Sequence, residues 1–208
     1  MTFCTLAIDP GRVSGWAIFI DGDRVTSGVA RNAVDRANAA QFARYFAESR
    51  ASTLIVVAEK WTPGGKFAGA RTMAGLGASW GLWIAAIENA AIPKSRVFRV
   101  HTQTWRAGVL GGGRGITREQ WDMRAQHLAC ALAGLDAIDD NEADAICIGA
   151  WAYTPKGRIA VDGKLPKRLR LGAATCAGWV AGVALPVCQP KKTPSVTPSR
   201  SRRPKRPG

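Results

Sequence analysis

The segment from Thr53 to Ala58 constrains the fold of this chain more than any other. It reads Thr-Leu-Ile-Val-Val-Ala, a continuous apolar run rich in β-branched residues, and it stops at Glu59. Such a run is typical of a central strand that is covered on both faces, because neither face needs polar side chains. The chain therefore has to build a layered α/β domain around this strand.

The residues before this strand predict three antiparallel strands. Apolar runs over residues 3–8 and 15–20 are followed by the turn segments Asp9–Gly11 and Asp21–Asp23. An Asp-Gly pair between apolar runs is a strong signal for a β-hairpin. A third strand over residues 24–30 completes the antiparallel start.

Helical patterns alternate with strands in the rest of the domain. Helical spacing covers residues 35–50 and 66–91, and residues 96–100 form a short strand. Two more helices follow, one opened by a capping box at Thr117 and one that ends near residue 152. This order predicts an α/β fold with a mixed five-stranded sheet, three strands antiparallel and then parallel ones, and helices on both faces.

Charge divides the chain into regions. The formal net charge is +14, and residues 156–208 contain 13 Lys and Arg but one acidic residue. We expect a domain over residues 1–155, an extension of uncertain fold over residues 156–188, and a basic disordered tail over residues 189–208. A strongly basic tail favours a nucleic-acid partner, and the alternative is a solvated tail that aids solubility.

Other features exclude several classes of protein. The longest uncharged stretch, residues 171–188, is rich in Ala and Gly and is too weakly apolar to span a membrane. The five cysteines are scattered without a C-x-x-C pair, which indicates reduced thiols rather than disulfides or a zinc knuckle. The start of the chain lacks the basic region of a secretory signal, so we expect a cytoplasmic protein.

Three acidic residues border strongly apolar sequence. Asp9 ends the first strand, Glu59 ends the fourth, and Asp144 precedes an apolar run in the last helix. Isolated carboxylates in such places are costly unless they are paired or bind a metal. Strands of one sheet present their ends together, and converging carboxylates suit Mg²⁺ or Mn²⁺. Asp140 and Asn141 share a helix face with Asp144, although Asp140 could simply cap the helix.

These residues resemble the RuvC-type Holliday junction resolvases, particularly their phage-like members. The resemblance spans about residues 3–152, with the motifs in the same order. The matching segments are Leu6–Gly11, Ser14–Ala17, Val56–Lys60, Gly81–Glu88, Val100–Arg106 and Asn141–Ile148. Asp-Pro-Gly, a strand-terminal Glu and Glu-Ala-Asp-Ala at these separations are together fairly specific.

The resemblance implies an RNase H-like fold, a homodimer, and Mg²⁺-dependent nicking of four-way DNA junctions in a bacterial or phage-infected cell. Asp9, Glu59 and Asp144 match the catalytic acids of the family. Two metal ions per site are implied, with Mn²⁺ able to replace Mg²⁺, and products with 5′-phosphate and 3′-hydroxyl ends. The family has an acid or His three residues before the last Asp. Here this position is Asn141, so either Asn141 or Asp140 is the fourth ligand.

Five residues are candidates for binding DNA. Trp61 follows Glu59 in a Gly-rich loop and could wedge into a junction by stacking on bases, or could be a core residue. Lys60 and Lys66 flank it and could bind phosphate, although solvated surface lysines are the alternative. Arg114 and Arg118 surround a second Gly-rich loop and are predicted to contact phosphate.

Some residues are assigned structural roles. Trp80, Trp83 and Ile87 recur at helical spacing, which indicates the core or a dimer interface. The only two histidines, His101 and His127, have no partner set and are predicted to be structural.

Four other functions can be weighed by the residues that each of them needs. An RNase H-like nuclease that acts on forks, branched phage DNA or RNA–DNA hybrids would use the same acids. A nuclease-dead junction-binding protein is compatible with Asn141. A P-loop is excluded because no Gly-Lys-Ser/Thr follows residues 111–115, and a sugar-kinase-like ATPase lacks its second phosphate loop. We therefore expect no nucleotide cofactor.

Overall fold

The computed structural model describes residues 2–50, 52–60, 69–112, 115–162 and 164. Its five strands form one sheet in the order β3-β2-β1-β4-β5. They are β1 (Phe3–Asp9), β2 (Ser14–Ile20), β3 (Asp23–Ala30), β4 (Thr53–Glu59) and β5 (Val97–Val100). The first three strands pair antiparallel, whereas β4 pairs parallel with both β1 and β5. The fold is RNase H-like.

Six helices accompany the sheet in the described residues. They are α1 (Ala33–Ser49), α2 (Ala70–Asn89), α3 (Thr102–Val109), α4 (Arg118–Ala133), α5 (Asp140–Ala152) and α6 (Pro155–Asp162), and a 3-10 turn covers Lys94–Arg96. The capping box predicted at Thr117 is present, with Gln120 as its partner. The sequence pattern did not reveal α3 or α6. Trp105 is the buried residue of α3, so this short helix shows no repeating apolar spacing.

The helices cover both faces of the sheet, as the apolar run in β4 predicts. Leu54, Val56 and Ala58 of β4 pack with α1 and α2 on one face. Ile55 and Val57 point to the other face, where they pack with residues of α3, α4 and α5. Burial on both faces explains why this strand contains no polar side chain between Thr53 and Glu59.

Of the residues that the sequence predicts to be structural, those in α2 pack in or against the core, whereas the two histidines do not. Trp83 and Ile87 are buried in the core under α2, and Trp80 packs partly buried against the same cluster. His101 and His127 are both exposed, so neither contributes to the core.

The structure describes only the beginning of the region that follows residue 155. Helix α6 continues the packed structure, and its Val161 is buried. Residues 165–208, which include the rest of the predicted extension and the basic tail, lie outside the described residues. Every helix in the described part is too short or too polar to cross a membrane.

Candidate active site

Three acidic side chains converge at one edge of the sheet. Asp9 and Glu59 are the last residues of β1 and β4, and the parallel pairing of Ile8 with Ala58 places them side by side. Asp144 lies one turn into α5, which packs across β1 and β2. All three side chains are half-buried. The structure thus brings together the three acids that the sequence singles out.

Burial and neighbouring charges shift the pKa values of two of these acids. Burial raises the pKa of Asp9 well above its ordinary value, and the nearby carboxylates of Glu59 and Asp144 raise it further. Burial also raises the pKa of Asp144 to about 6, with Arg106 opposing and Glu59 adding to the effect. Burial is thus the main cause of both shifts, and the neighbouring carboxylates add to it.

Helix α3 fixes the position of Glu59. The Thr102 hydroxyl donates to Oε1 of Glu59 at 2.6 Å, and Trp105 Nε1 donates to Oε2 at 2.7 Å. Trp105 is fully buried, so its indole nitrogen cannot move away from this carboxylate. Because α3 begins directly after β5, the neighbour of β4, its first turn reaches the end of β4. Both oxygens of Glu59 are therefore oriented before any ligand binds.

Arg106 supplies the positive charge at the site. Its Nη2 lies 3.3 Å from Oδ2 of Asp144 and 3.7 Å from Oδ1 of Asp122. Its guanidinium carbon also lies 5.2 Å from the ring centroid of Trp105 and 5.9 Å from that of Trp121. This single guanidinium neutralises only part of the charge of the surrounding carboxylates.

The three carboxylates are of the type that binds divalent cations, although Glu59 and Asp144 already contact other side chains. Among the described residues, no three His, Cys or acidic side chains are close enough to ligate one ion as they lie. Asp144 pairs with Arg106, and Glu59 accepts hydrogen bonds from Thr102 and Trp105. Carboxylate oxygens keep a second lone pair when they accept a hydrogen bond. Asp9, Glu59 and Asp144 offer the kind of oxygen ligand that Mg²⁺ and Mn²⁺ take.

The two candidates for a fourth ligand point in different directions. Asp140 accepts a short hydrogen bond from Gln126 of α4. Asn141 lies toward the turn that follows Asp9, because a Cβ on Gly11 would be 3.6 Å from its Oδ1. Its Nδ2 donates to Asp139, the residue that caps α5. Asn141 is thus the nearer of the two to the Asp9 turn.

A buried arginine braces that turn. The Arg36 Nη2 contacts the carbonyl oxygens of Gly11 and Arg12 and the hydroxyls of Ser14 and Ser79, at 3.0–3.4 Å. Its Nη1 donates to the carbonyl of Asn32. Burial lowers the pKa of this guanidinium, and Asp35 opposes the effect. The network ties α1 and α2 to the loop that orients Asp9.

The predicted DNA-binding residues are only partly described. Lys60 is exposed directly after Glu59. The side chain of Arg118 is 87% exposed and lies 3.6 Å from Asp122. Trp61, Lys66 and Arg114 fall outside the described residues. A role in DNA binding stays a prediction for all five.

An open cleft of about 1080 Å³ adjoins the acidic group. Its walls are His101, Thr102, Gln103, Thr104, Arg106, Ala107, Gly112 and Trp121. Sequence reasoning gave no role to Thr102, Trp105 or Arg106. Their position after β5 could have identified them, because ligands bind at the edge of a sheet where its parallel strands end.

Comparisons with known proteins give structural matches alone. No protein-family model and no curated protein matches the chain. Among solved structures, the chain is similar to Thermus thermophilus RuvC, with 17% identity over 73% of this chain and 92% of that one, and a TM-score of 0.47. A second match is T. thermophilus RuvC in complex with a Holliday junction substrate, with 14% identity, coverage of 72% and 91%, and a TM-score of 0.47. Because the sequence identities and TM-scores are low, the function has to be inferred from the residues of this chain's own site.

Proposed function

We propose that this chain is a metal-dependent, structure-specific endonuclease that resolves four-way DNA junctions by paired symmetric nicks. The observation that carries this proposal is the convergence of Asp9, Glu59 and Asp144 at one edge of an RNase H-like sheet. Carboxylates at strand ends are the ligands that phosphodiester hydrolysis by two metal ions requires. The same group has no evident structural purpose, because burial and mutual repulsion make it costly.

Each acid has a distinct part in the proposed reaction. Asp9 interacts with the charges of both Glu59 and Asp144, and it would serve both of two Mg²⁺ or Mn²⁺ ions, with Glu59 and Asp144 each holding one. Bound ions supply an activated water and stabilise the leaving oxygen in an in-line displacement. The fourth position falls to Asn141 or Asp140. The expected products carry 5′-phosphate and 3′-hydroxyl ends.

The contacts of Glu59 and Arg106 suggest how the protein assists this chemistry. Thr102 and Trp105 keep Glu59 oriented, so little rearrangement is needed there when a metal binds. Arg106 balances Asp144 in the free protein. With Asp144 holding a metal, the Arg106 guanidinium would be available to a phosphate of the DNA strand, for which its planar set of donors is well suited.

A homodimer would provide two such sites for symmetric cuts. One face of α2 supports this part of the proposal, because it exposes small and apolar residues at intervals of three and four. These exposed residues are Gly75, Ala78, Leu82 and Ala85. Leu82 is 41% exposed, and close helix packing favours such small neighbours. Sedimentation of Leu82→Lys beside Val34→Lys, which changes an exposed residue of α1, tests this face: only the first should produce a monomer.

DNA binding is proposed to involve Lys60, Trp61, Lys66, Arg114 and Arg118, with added affinity from the basic tail. Residues 191–206 contain seven Lys and Arg. Contacts of this kind release counterions, so affinity should fall steeply with salt. Removal of the tail by trypsin should weaken DNA binding at low salt, and unchanged affinity would exclude a role for the tail.

Since DNA is the proposed substrate, the proposed location is the cytoplasm of a bacterial or phage-infected cell.

The decisive experiment compares nicking of a synthetic four-way junction with that of a linear duplex, a fork and an RNA–DNA hybrid. The wild type, Asp9→Asn and the exposed control Asp23→Asn are assayed with Mg²⁺ and with Mn²⁺. Paired symmetric cuts confined to the junction, absent in Asp9→Asn and retained in Asp23→Asn, support a resolvase. Equal cutting of forks or hybrids favours a broader RNase H-like nuclease, and binding without cutting favours a junction-binding protein.

A further inference from the structure

Trp121 has no role in the site described above, yet its ring forms one wall of the cleft beside it. It belongs to the first turn of α4, and it is neither fully buried nor fully exposed. The cleft shares Thr102 and Arg106 with the acidic group, where these residues contact Glu59 and Asp144. A ligand in the cleft would therefore lie next to the reacting phosphate.

The guanidinium groups of two arginines lie near the ring of Trp121. The central carbons of Arg106 and Arg124 lie 5.9 and 5.5 Å from its centroid. In the free protein Arg106 contacts Asp144, and Arg124 donates to the carbonyl oxygen of Leu110. A Trp side chain has only two torsion angles, so it can accept a planar ligand without losing much side-chain entropy.

The remaining walls carry neutral hydrogen-bonding groups. Thr102, Gln103 and Thr104 follow one another along the first turn of α3, and His101 precedes them. None of the described residues that line the cleft is acidic. The volume of this open cleft, about 1080 Å³, slightly exceeds that of typical small-ligand sites, so the cleft has room for one nucleotide.

We propose that this cleft binds an unpaired base of the DNA strand, stacked on Trp121, beside the phosphate that is cut. This inference rests on the proposed nuclease function and extends it by naming the form of the substrate. The aromatic wall accounts for stacking, the Thr and Gln side chains for contacts to base edges, and the cationic edge for the attached phosphate. The enzyme would thus select DNA in which bases near the cut are unstacked.

The test measures binding rather than cutting. Asp9→Asn protein is titrated by fluorescence anisotropy with a fork that has unpaired arms and with a fully paired duplex of equal length. In this background, Trp121→Ala should weaken fork binding about tenfold or more and leave duplex binding unchanged, since stacking acts on unpaired bases. Trp121→Phe should retain most of the affinity. Trp16→Ala, which removes another half-buried Trp from β2, should leave both affinities unchanged.

A second measurement guards against misfolding of the Ala variant. A 2-aminopurine placed in the unpaired arm should be quenched on binding to the Trp121 protein and to Trp121→Phe, but less quenched by Trp121→Ala at saturating protein. Equal loss of fork and duplex affinity, or an unchanged fork affinity, would overturn the proposal. Failure of the wild type to cut any DNA would instead reject the nuclease function, while the binding results would still report on the cleft.

Discussion

Gly15 and Asn141 are in backbone contact, and this contact sets the distance between α5 and the sheet. A Cβ on Gly15 would lie 1.7 Å from the carbonyl oxygen of Asn141. Gly15 is paired with Asp9 across β1 and β2. The absence of a side chain at this one position therefore lets α5 approach the end of β1, which brings Asp144 toward Asp9.

Gly15→Ala should consequently damage both stability and activity. The added methyl group meets backbone atoms, which cannot rotate away, so α5 has to shift outward. We expect a loss of about 1–3 kcal/mol in the free energy of unfolding, and weaker metal binding because Asp144 moves with the helix. Chemical denaturation and metal titration measure these effects. Gly28→Ala is the control, since its Cβ meets only the Trp16 side chain, and an equal loss there would contradict this explanation.

Trp105→Phe should show whether Trp105 supports activity through its hydrogen bond to Glu59 or only through its packing in α3. The substitution keeps most of the ring but removes the donor to Oε2 of Glu59. Loss of a hydrogen bond to a metal ligand typically costs about 10- to 100-fold in metal affinity or activity. We expect a loss of this size in nicking rate. Trp83→Phe is a matched control, because Trp83 is also buried and its Nε1 has no partner in the described structure. Similar losses in both variants would point to packing instead.

The raised pKa of Asp144 predicts how stability depends on pH without metal. Its pKa is about 6 in the folded protein against an ordinary 3.8, so the folded state binds the proton more tightly. Stability therefore falls as pH rises from about 4 through 6, by up to roughly 3 kcal/mol from this group. Denaturation in EDTA should show wild type losing stability relative to Asp144→Asn across this window. A pH-independent difference would contradict the shift.

Divalent metal should reverse this loss. In the proposed site a metal ion would bind the ionised carboxylates of Asp9 and Asp144, and protonation of these carboxylates would compete with it. The rise in Tm on addition of Mg²⁺ should therefore be larger at about pH 8 than at about pH 5. Asp9→Asn should show little rise at either pH. An equal rise in this variant would mean that the metal acts elsewhere.

Arg36→Lys should loosen the turn after Asp9 despite conserving the charge. An ammonium group cannot serve the carbonyls of Gly11 and Arg12 and the hydroxyls of Ser14 and Ser79 from one fixed plane. The lost bonds should lower the free energy of unfolding by about 2 kcal/mol or more. Arg12→Lys, at an exposed side chain, should change it little. Equal stability of the two variants would show that this network contributes nothing.

The sequence by itself determined the strands and their order along the chain, and it marked the three acids that the structure brings together. The reason is that apolar periodicity and strand-end carboxylates are local features, visible in Thr53–Glu59 and in residues 3–9. The mixed sheet with covered faces followed from the same patterns, and the structure confirms it.

Only the tertiary structure decided what surrounds those acids. The bonds of Thr102 and Trp105 to Glu59, and of Arg106 to Asp144, join residues that are 38 to 46 positions apart. No periodicity encodes such contacts, because they depend on how α3 and α5 pack against the sheet. The same holds for Arg36 and for the cleft beside Trp121, whose partners come from separate elements brought together by burial of the apolar faces.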